Sequence, residues 1–300
     1  DVFIQIEGLR LSGLADPKVP SRVLITGEKG VGKSLSAKAF AELTGRTYVP
    51  INMADYGEGG VEKFRQRLGV EARKDAFAVF GLDEVARANF KVLEVLFAVL
   101  NDGYLDVPDS IGTNSDIKDT TIKVDFKNTT IVGTTNAGSS YVTKIMDQRN
   151  RNPKIGFEGP SNVGSESGKN ELTSSIQSEI AMIDGLKQAM EADGMPGPLL
   201  DRFPDVIAAM QPTKKKFREI VDLHLNGMLK QLQGAKKFPI TLMNREEFLD
   251  FVANAYYRKD MSNRIVETIL NSYLRNPMAK ALLAMEGDAG KAAGVAVSSD

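Results

Sequence analysis

Gly27-Glu28-Lys29-Gly30-Val31-Gly32-Lys33-Ser34 has the spacing G-x-x-x-x-G-K-[ST], and its flanks decide the fold. Before it, Val23-Leu24-Ile25-Thr26 is a short apolar run that ends at Gly27. After it, Ser34 to Leu43 has helical spacing, with Gly45 as its stop. A glycine-rich turn between a buried strand and a helix lets backbone N–H groups curl around phosphate oxygens. Lys33 is then placed to contact the β- and γ-phosphates and Ser34 to hold Mg2+, with Leu35 beside them at the helix start. The bland alternative is a glycine-rich turn with an incidental lysine; the strand before and the helix after argue against it.

Outward from that turn, Arg22 to Asn136 alternates apolar strands with helical patterns, the signature of a doubly wound parallel α/β sheet. Thr47 to Asn52 and Thr129 to Thr135 read as strands. Ala76 to Leu82 is a continuous apolar run of the kind central parallel strands use. Phe90 to Leu100 reads as a helix that stops at Asn101-Asp102-Gly103. Polar, glycine-containing stretches at Asp106–Lys118 and Glu158–Lys169 read as a surface hairpin or insertion and as a mobile loop. Past Gln211-Pro212 the pattern turns helical, interrupted by a strand-like Phe238 to Leu242. These shifts predict a large α/β nucleotide domain over 1–211, a small, mainly helical domain over 212–286 and a flexible tail over 287–300.

The partner of the phosphate loop is Ala78-Val-Phe-Gly-Leu-Asp83-Glu84, an apolar strand that delivers two carboxylates to the sheet edge where phosphate sits. Asp83 would orient Mg2+ or its water shell, and Glu84 would polarise the attacking water. Alone, such a pair fits a helix cap equally well; together with Lys33 it points to ATP hydrolysis.

Composition removes other chemistries. The chain has no cysteine and one histidine, His224, which rules out disulfides, Cys-ligated metal centres and a histidine metal cluster. Absent cysteine fits a reducing, cytoplasmic compartment. A net charge of −1 supplies no global footprint for nucleic acid. No apolar run is long enough to span a membrane. A chain opening on Asp1 rather than Met reads as a fragment or processed piece. Lys214-Lys-Lys216 opens a helix and reads as a solvated face or, as a minor alternative, a phosphate contact. Met182, Met190, Met195, Met210 and Met228 read as core or loop methionines.

Leu14-Ala-Asp-Pro17, Leu82-Asp-Glu-Val85, Leu100-Asn-Asp-Gly-Tyr-Leu105, Val124-Asp-Phe-Lys-Asn128 and Thr134-Thr-Asn-Ala-Gly138 occur in this order and resemble segments of AAA+ ATPases of the Clp unfoldase family, in particular their second ATPase module. The resemblance runs from about Leu11 to Leu283. It implies roles by position. Asn136 resembles sensor 1, which positions the attacking water. Arg202, in Pro198-Leu-Leu-Asp-Arg202-Phe203, resembles the arginine finger that reaches a neighbouring subunit's nucleotide; a surface ion pair is the alternative. Arg264, ahead of Asn276-Pro-Met-Ala279, falls where sensor 2 sits, although the Gly-Ala before that arginine in the family is Ser-Asn here. Val2-Phe3-Ile-Gln5 resembles the adenine-pocket segment, with Ile4 in place of its glycine. Ile155-Gly156-Phe157 resembles the tripeptide by which proteolytic members dock on a peptidase, and local packing explains the same residues equally well.

One departure stands out. The family's aromatic gripping loop, Gly-Tyr-Val-Gly-like, is missing between Asp55-Tyr56 and Gly57-Glu-Gly-Gly60. The resemblance thus implies an ATP- and Mg2+-dependent ring, a hexamer by likeness, that remodels or unfolds proteins. Two alternatives remain, a nucleic-acid motor or loader and a structural ring subunit without threading activity.

Overall fold

The computed structural model describes residues 2–108, 121–151, 180–236, 242–258 and 262–280. One compact unit comprises Asp1–Glu28 and Gly32–Met210, and the other comprises Lys29–Val31 and Gln211 onward.

The first unit is built on a five-stranded parallel sheet of order β2-β3-β6-β1-β7. Its strands are β1 (Ser21–Gly27), β2 (Tyr48–Asn52), β3 (Val79–Asp83), β6 (Thr130–Thr135) and β7 (Asp205–Ala209). Side chains alternate across a strand, and here both faces are covered, so apolar residues run without interruption. Leu24, Phe80 and Ile131 face one buried cluster, while their neighbours Val23, Val79 and Val132 face another. On the first face lie α3 (Val61–Lys74), through Phe64 and Leu68, and α4 (Phe90–Asp102), through Val92, Leu96 and Leu100. On the second lie α1 (Val2–Leu11), through Ile6, and α2 (Lys33–Leu43), through Ala37, Phe40 and Ala41. Truncating a fully buried ring such as Phe80 to alanine removes about 3–5 kcal/mol from a core of this kind.

The predicted hairpin has the antiparallel strands β4 (Tyr104–Pro108) and β5 (Thr121–Asp125) as its arms; its connection lies outside the described residues. After β6 come α5 (Ser139–Arg151), a helix α6 described over 180–192, and the short α7 (Gly197–Leu200). Gly185 sits inside α6, where it would normally weaken a helix. A Cβ there would lie 2.1 Å from the Tyr141 hydroxyl oxygen, so the glycine admits close packing against α5.

The second unit is helical: α8 (Lys214–Lys236), α9 (Arg245–Tyr256), α10 (Ile265–Leu270) and a π-turn at Asn271–Arg275. Phe217, Val221 and Leu225, four residues apart on α8, bury against Leu249, Val252, Val266 and Ile269. Arg245 reaches from α9 to Asp222 of α8 at 2.6 Å. Phe238 to Thr241, the strand-like interruption, lies outside the described residues. Among the described residues no helix is long and apolar enough to cross a membrane.

Candidate functional site

Parallel register sets the site. Thr26 on β1 stands beside Thr135 on β6, and Leu82 on β3 beside Gly133, so Gly27, Asp83 and Asn136 leave the sheet at one edge. Gly27 is required there, because a Cβ would come within 2.2 Å of the Ala209 carbonyl oxygen of β7. Past it, Gly30 and Gly32 adopt left-handed φ of 85° and 99°, which L side chains resist. Gly32 also caps α2 without a side-chain hydrogen bond, and a helix N-terminus favours an anionic acceptor.

Lys33 is buried at 8% exposure, and its ammonium is gathered into this loop. Nζ donates to the Gly27 and Glu28 carbonyls at 2.7 and 2.8 Å and to Asn136 Oδ1 at 2.8 Å. The phosphate-loop lysine and the strand-end amide are therefore joined directly. Asp83 Oδ1 accepts from Thr134 Oγ1, which fixes the carboxylate from the neighbouring strand. Ser34 opens α2 one residue after Lys33, and its carbonyl accepts from the Tyr48 hydroxyl at 3.4 Å. Burial first, and then the Asp83 carboxylate, push the Tyr48 phenol above its ordinary pKa, so it stays a proton donor. Leu35, next on the helix, is 53% exposed.

Glu84 adopts a left-handed conformation, φ 56° and ψ 44°, at a cost of about 1 kcal/mol or more for a residue with a Cβ. The kink turns the chain off β3 into a 3-10 turn at Val85–Arg87. Arg87 Nη1 donates to Glu84 Oε2 at 2.9 Å, an i,i+3 ion pair.

Arg202 lies just past α7, and its recorded partners are on α4 and α7. Nε donates to Asn101 Oδ1 at 2.9 Å, Nη1 donates to the Pro198 carbonyl, and the guanidinium lies 4.2 Å from the centre of the Phe97 ring. Among the described residues these contacts do not connect Arg202 to Lys33, Asp83 or Asn136. Arg264 precedes α10 in the second unit. Val2 and Phe3 belong to a helix, with Phe3 stacked on Phe40 at 4.8 Å. Ile155, Gly156 and Phe157 lie outside the described residues.

Between β2 and α3 the chain makes two 3-10 turns, Met53–Asp55 and Glu58–Gly60, with Tyr56 and Gly57 between them. Tyr56 between them is 5% exposed and packs edge-on against Phe64 at 5.2 Å. Sequence reading did not single out Tyr48, Thr26 or Thr134 around the site. The β1–β6 register alone brings Thr26 to the Ala137 carbonyl, to which its hydroxyl donates.

Two family models match the chain, an AAA domain of the dynein-related subfamily over residues 22–149 and the C-terminal D2-small domain of ClpB over residues 213–295. The chaperone ClpB of Bacteroides thetaiotaomicron is 27% identical over 94% of the chain, and the chloroplastic chaperone ClpC of Pisum sativum 29% identical over 96%. The chain spans 30% of the length of each. A cryo-electron-microscopy structure of Hsp104 with ATPγS and FITC-casein matches with a TM-score of 0.66 at 20% identity, covering 93% of this chain and 44% of that one. The ADP complex of Hsp104 from S. cerevisiae matches with a TM-score of 0.63 at 19% identity. At these identities the two structures speak to the fold.

Proposed function

The chain belongs to the AAA+ proteins of the Clp family, and from that premise we propose that it binds and hydrolyses ATP in a ring that remodels or unfolds proteins. The observation that carries the reading is the junction of Lys33 Nζ with Asn136 Oδ1, 2.8 Å apart, at the uncapped N-terminus of α2. A cation and an amide side by side there, at a helix start with no side-chain cap, would suit the charge of a triphosphate.

The residues fit nucleotide and metal. The carbonyls of Gly27 and Glu28 now occupy the Lys33 ammonium, and phosphate oxygens of stronger charge would displace them. Ser34 and Asp83 would hold Mg2+, with phosphate and water as its remaining ligands, and the ion would offset charge on the β- and γ-phosphates. Asp83 is already oriented by Thr134. Glu84 would accept the proton of the attacking water as its oxygen bonds to the γ-phosphorus and ADP departs. Arg87 holds Glu84 Oε2 at 2.9 Å, and that contact would loosen for the oxygen to meet the water. Asn136 would hold the water and the γ-phosphate in line.

Among the described residues the contacts of Arg202 lie outside its own phosphate site, which supports a role on a neighbouring subunit's nucleotide and hence a closed ring, a hexamer by family likeness. Arg264 is proposed to report nucleotide state from the second unit, and Val2 and Phe3 to border the adenine. Docking on a peptidase through Ile155-Gly156-Phe157 rests on sequence likeness; deleting the three residues should abolish co-sedimentation with a Clp-type peptidase and spare ATP turnover. The reading as a whole is tested by ATP turnover of the purified chain, with Lys33→Ala as the control that should lose nucleotide binding.

A further inference from the structure

The turn that carries Asn136 is held at almost every polar atom. The Ala137 amide donates to Thr135 Oγ1 at 3.1 Å, Thr26 Oγ1 donates to the Ala137 carbonyl, and the Ser139 amide donates to the Asn136 carbonyl at 3.2 Å. The remaining buried amide, that of Gly138, donates to Asp193 Oδ2 at 2.8 Å. Gly138 has φ 77°, and a Cβ there would lie 2.6 Å from Met190 Cγ and 3.0 Å from Leu186 Cδ1. The turn is thus pressed onto α6, and its Gly138 amide is met by a carboxylate just beyond the end of that helix.

A carboxylate is badly placed there for helix stability. The C-terminus of a helix carries partial negative charge and favours cations. The Asp193 amide still bonds to the Ala189 carbonyl, so the side chain stands against that charge. What it gains is a charge-assisted bond to a buried backbone N–H two residues from Asn136, which is in turn bonded to Lys33. The bond serves the turn more than the helix.

We propose that Asp193 is a positioning residue for ATP hydrolysis: through the Gly138 amide it fixes the Asn136 turn and, through Asn136, the Lys33 ammonium, so that α6 sets the geometry of the phosphate site. This rests on the ATPase reading above. Its consequence is that any displacement of α6 reaches the γ-phosphate side of the site along a path of two side-chain hydrogen bonds and one turn.

The test compares Asp193→Ala with Asp193→Asn, which keeps an oxygen acceptor without the charge. For Asp193→Ala, kcat should fall about tenfold while KM for ATP stays within about twofold, the pattern of an interaction that acts in the transition state. Asp193→Asn should recover to within about threefold of the parent chain. Hydrogen exchange at Gly138 and Ser139 should accelerate in Asp193→Ala alone, and it reads the turn whether or not ATP turns over. If the parent chain binds ATP without hydrolysing it, the ATPase reading fails, while exchange still decides whether Asp193 fixes the turn. Unchanged kcat and exchange in Asp193→Ala would overturn the proposal, and so would an equal loss in Asp193→Asn. If Asp193→Ala does not fold, Asp193→Asn decides: near-parent kcat and protected amides support the acceptor role, and a large fall in kcat with its melting temperature unchanged overturns it.

Discussion

Two connections leave the same edge of the same sheet and have been treated in opposite ways. The one after β1 carries glycines with left-handed φ, a helix start without a side-chain cap and a buried lysine bonded to Asn136. The one after β2 has collapsed into two 3-10 turns, with its single aromatic, Tyr56, buried against Phe64. The first holds the residues proposed for phosphate chemistry; in the second the one aromatic, Tyr56, is buried, unlike the exposed aromatic of the gripping loop to which the family likeness points. Chemistry and grip are separable parts, and a surface loop can be shortened at little thermodynamic cost because closure entropy changes only slowly with length. The central proposal is therefore a motor that consumes ATP but slips on stable substrates.

The largest expected effect probes how far the chemical half extends. Arg202→Ala should lower turnover by about 10³-fold or more with nucleotide affinity nearly unchanged, since an arginine of this kind acts on transition-state charge. Mixing it with Lys33→Ala chains should restore part of the activity, as one chain's pocket then meets the other's arginine. No recovery after verified subunit exchange would place Arg202 outside a shared site. Next, Glu84→Gln should reduce turnover by about 10²–10⁴-fold while a fluorescent ATP analogue still binds and the ring is trapped in its bound form. Turnover at the parent rate would remove Glu84 as the water-activating base.

The gripping side of the comparison predicts a stability effect instead. Tyr56→Ala should destabilise the first unit by about 3 kcal/mol in chemical denaturation, as expected for a truncated core aromatic. Loss of substrate handling with unchanged stability would instead mean that Tyr56 grips. The smallest effect concerns Arg87. Freeing Glu84 from its ion pair by Arg87→Ala should raise basal kcat by about twofold, in keeping with the modest strength of an exposed pair. A fall in kcat would assign Arg87 to the reaction itself.

The parts legible in the sequence are those fixed by short-range spacing. Gly27 to Ser34 declares a strand, a turn and a helix within one stretch, and the apolar run ending at Asp83 declares a central strand. What escaped depends on contacts far apart in the chain. Nothing local brings Thr26 to Ala137 or Lys33 to Asn136; only the β1–β6 register does so. Strand β7, Asp205–Ala209, is short and half-exposed, with only Val206 and Ile207 of strong β preference, although its Ala209 carbonyl is what demands Gly27. Helix α6 contains Gly185, whose purpose appears only when the Tyr141 hydroxyl is seen against it. The left-handed Glu84 cannot be read from composition, because the residue type argues against it. Val2 and Phe3 resemble a family segment in residue identity, and the structure sets them on a helix with Phe3 against Phe40.

The most direct measurement pairs ATP turnover with unaided unfolding of a stable fluorescent protein, for the chain as it stands and with Gly-Tyr-Val-Gly inserted after Tyr56. The account predicts robust turnover with little or no unfolding in the first, and in the second a rise in unfolding that exceeds any rise in turnover. Strong unaided unfolding by the chain without the insertion would contradict it.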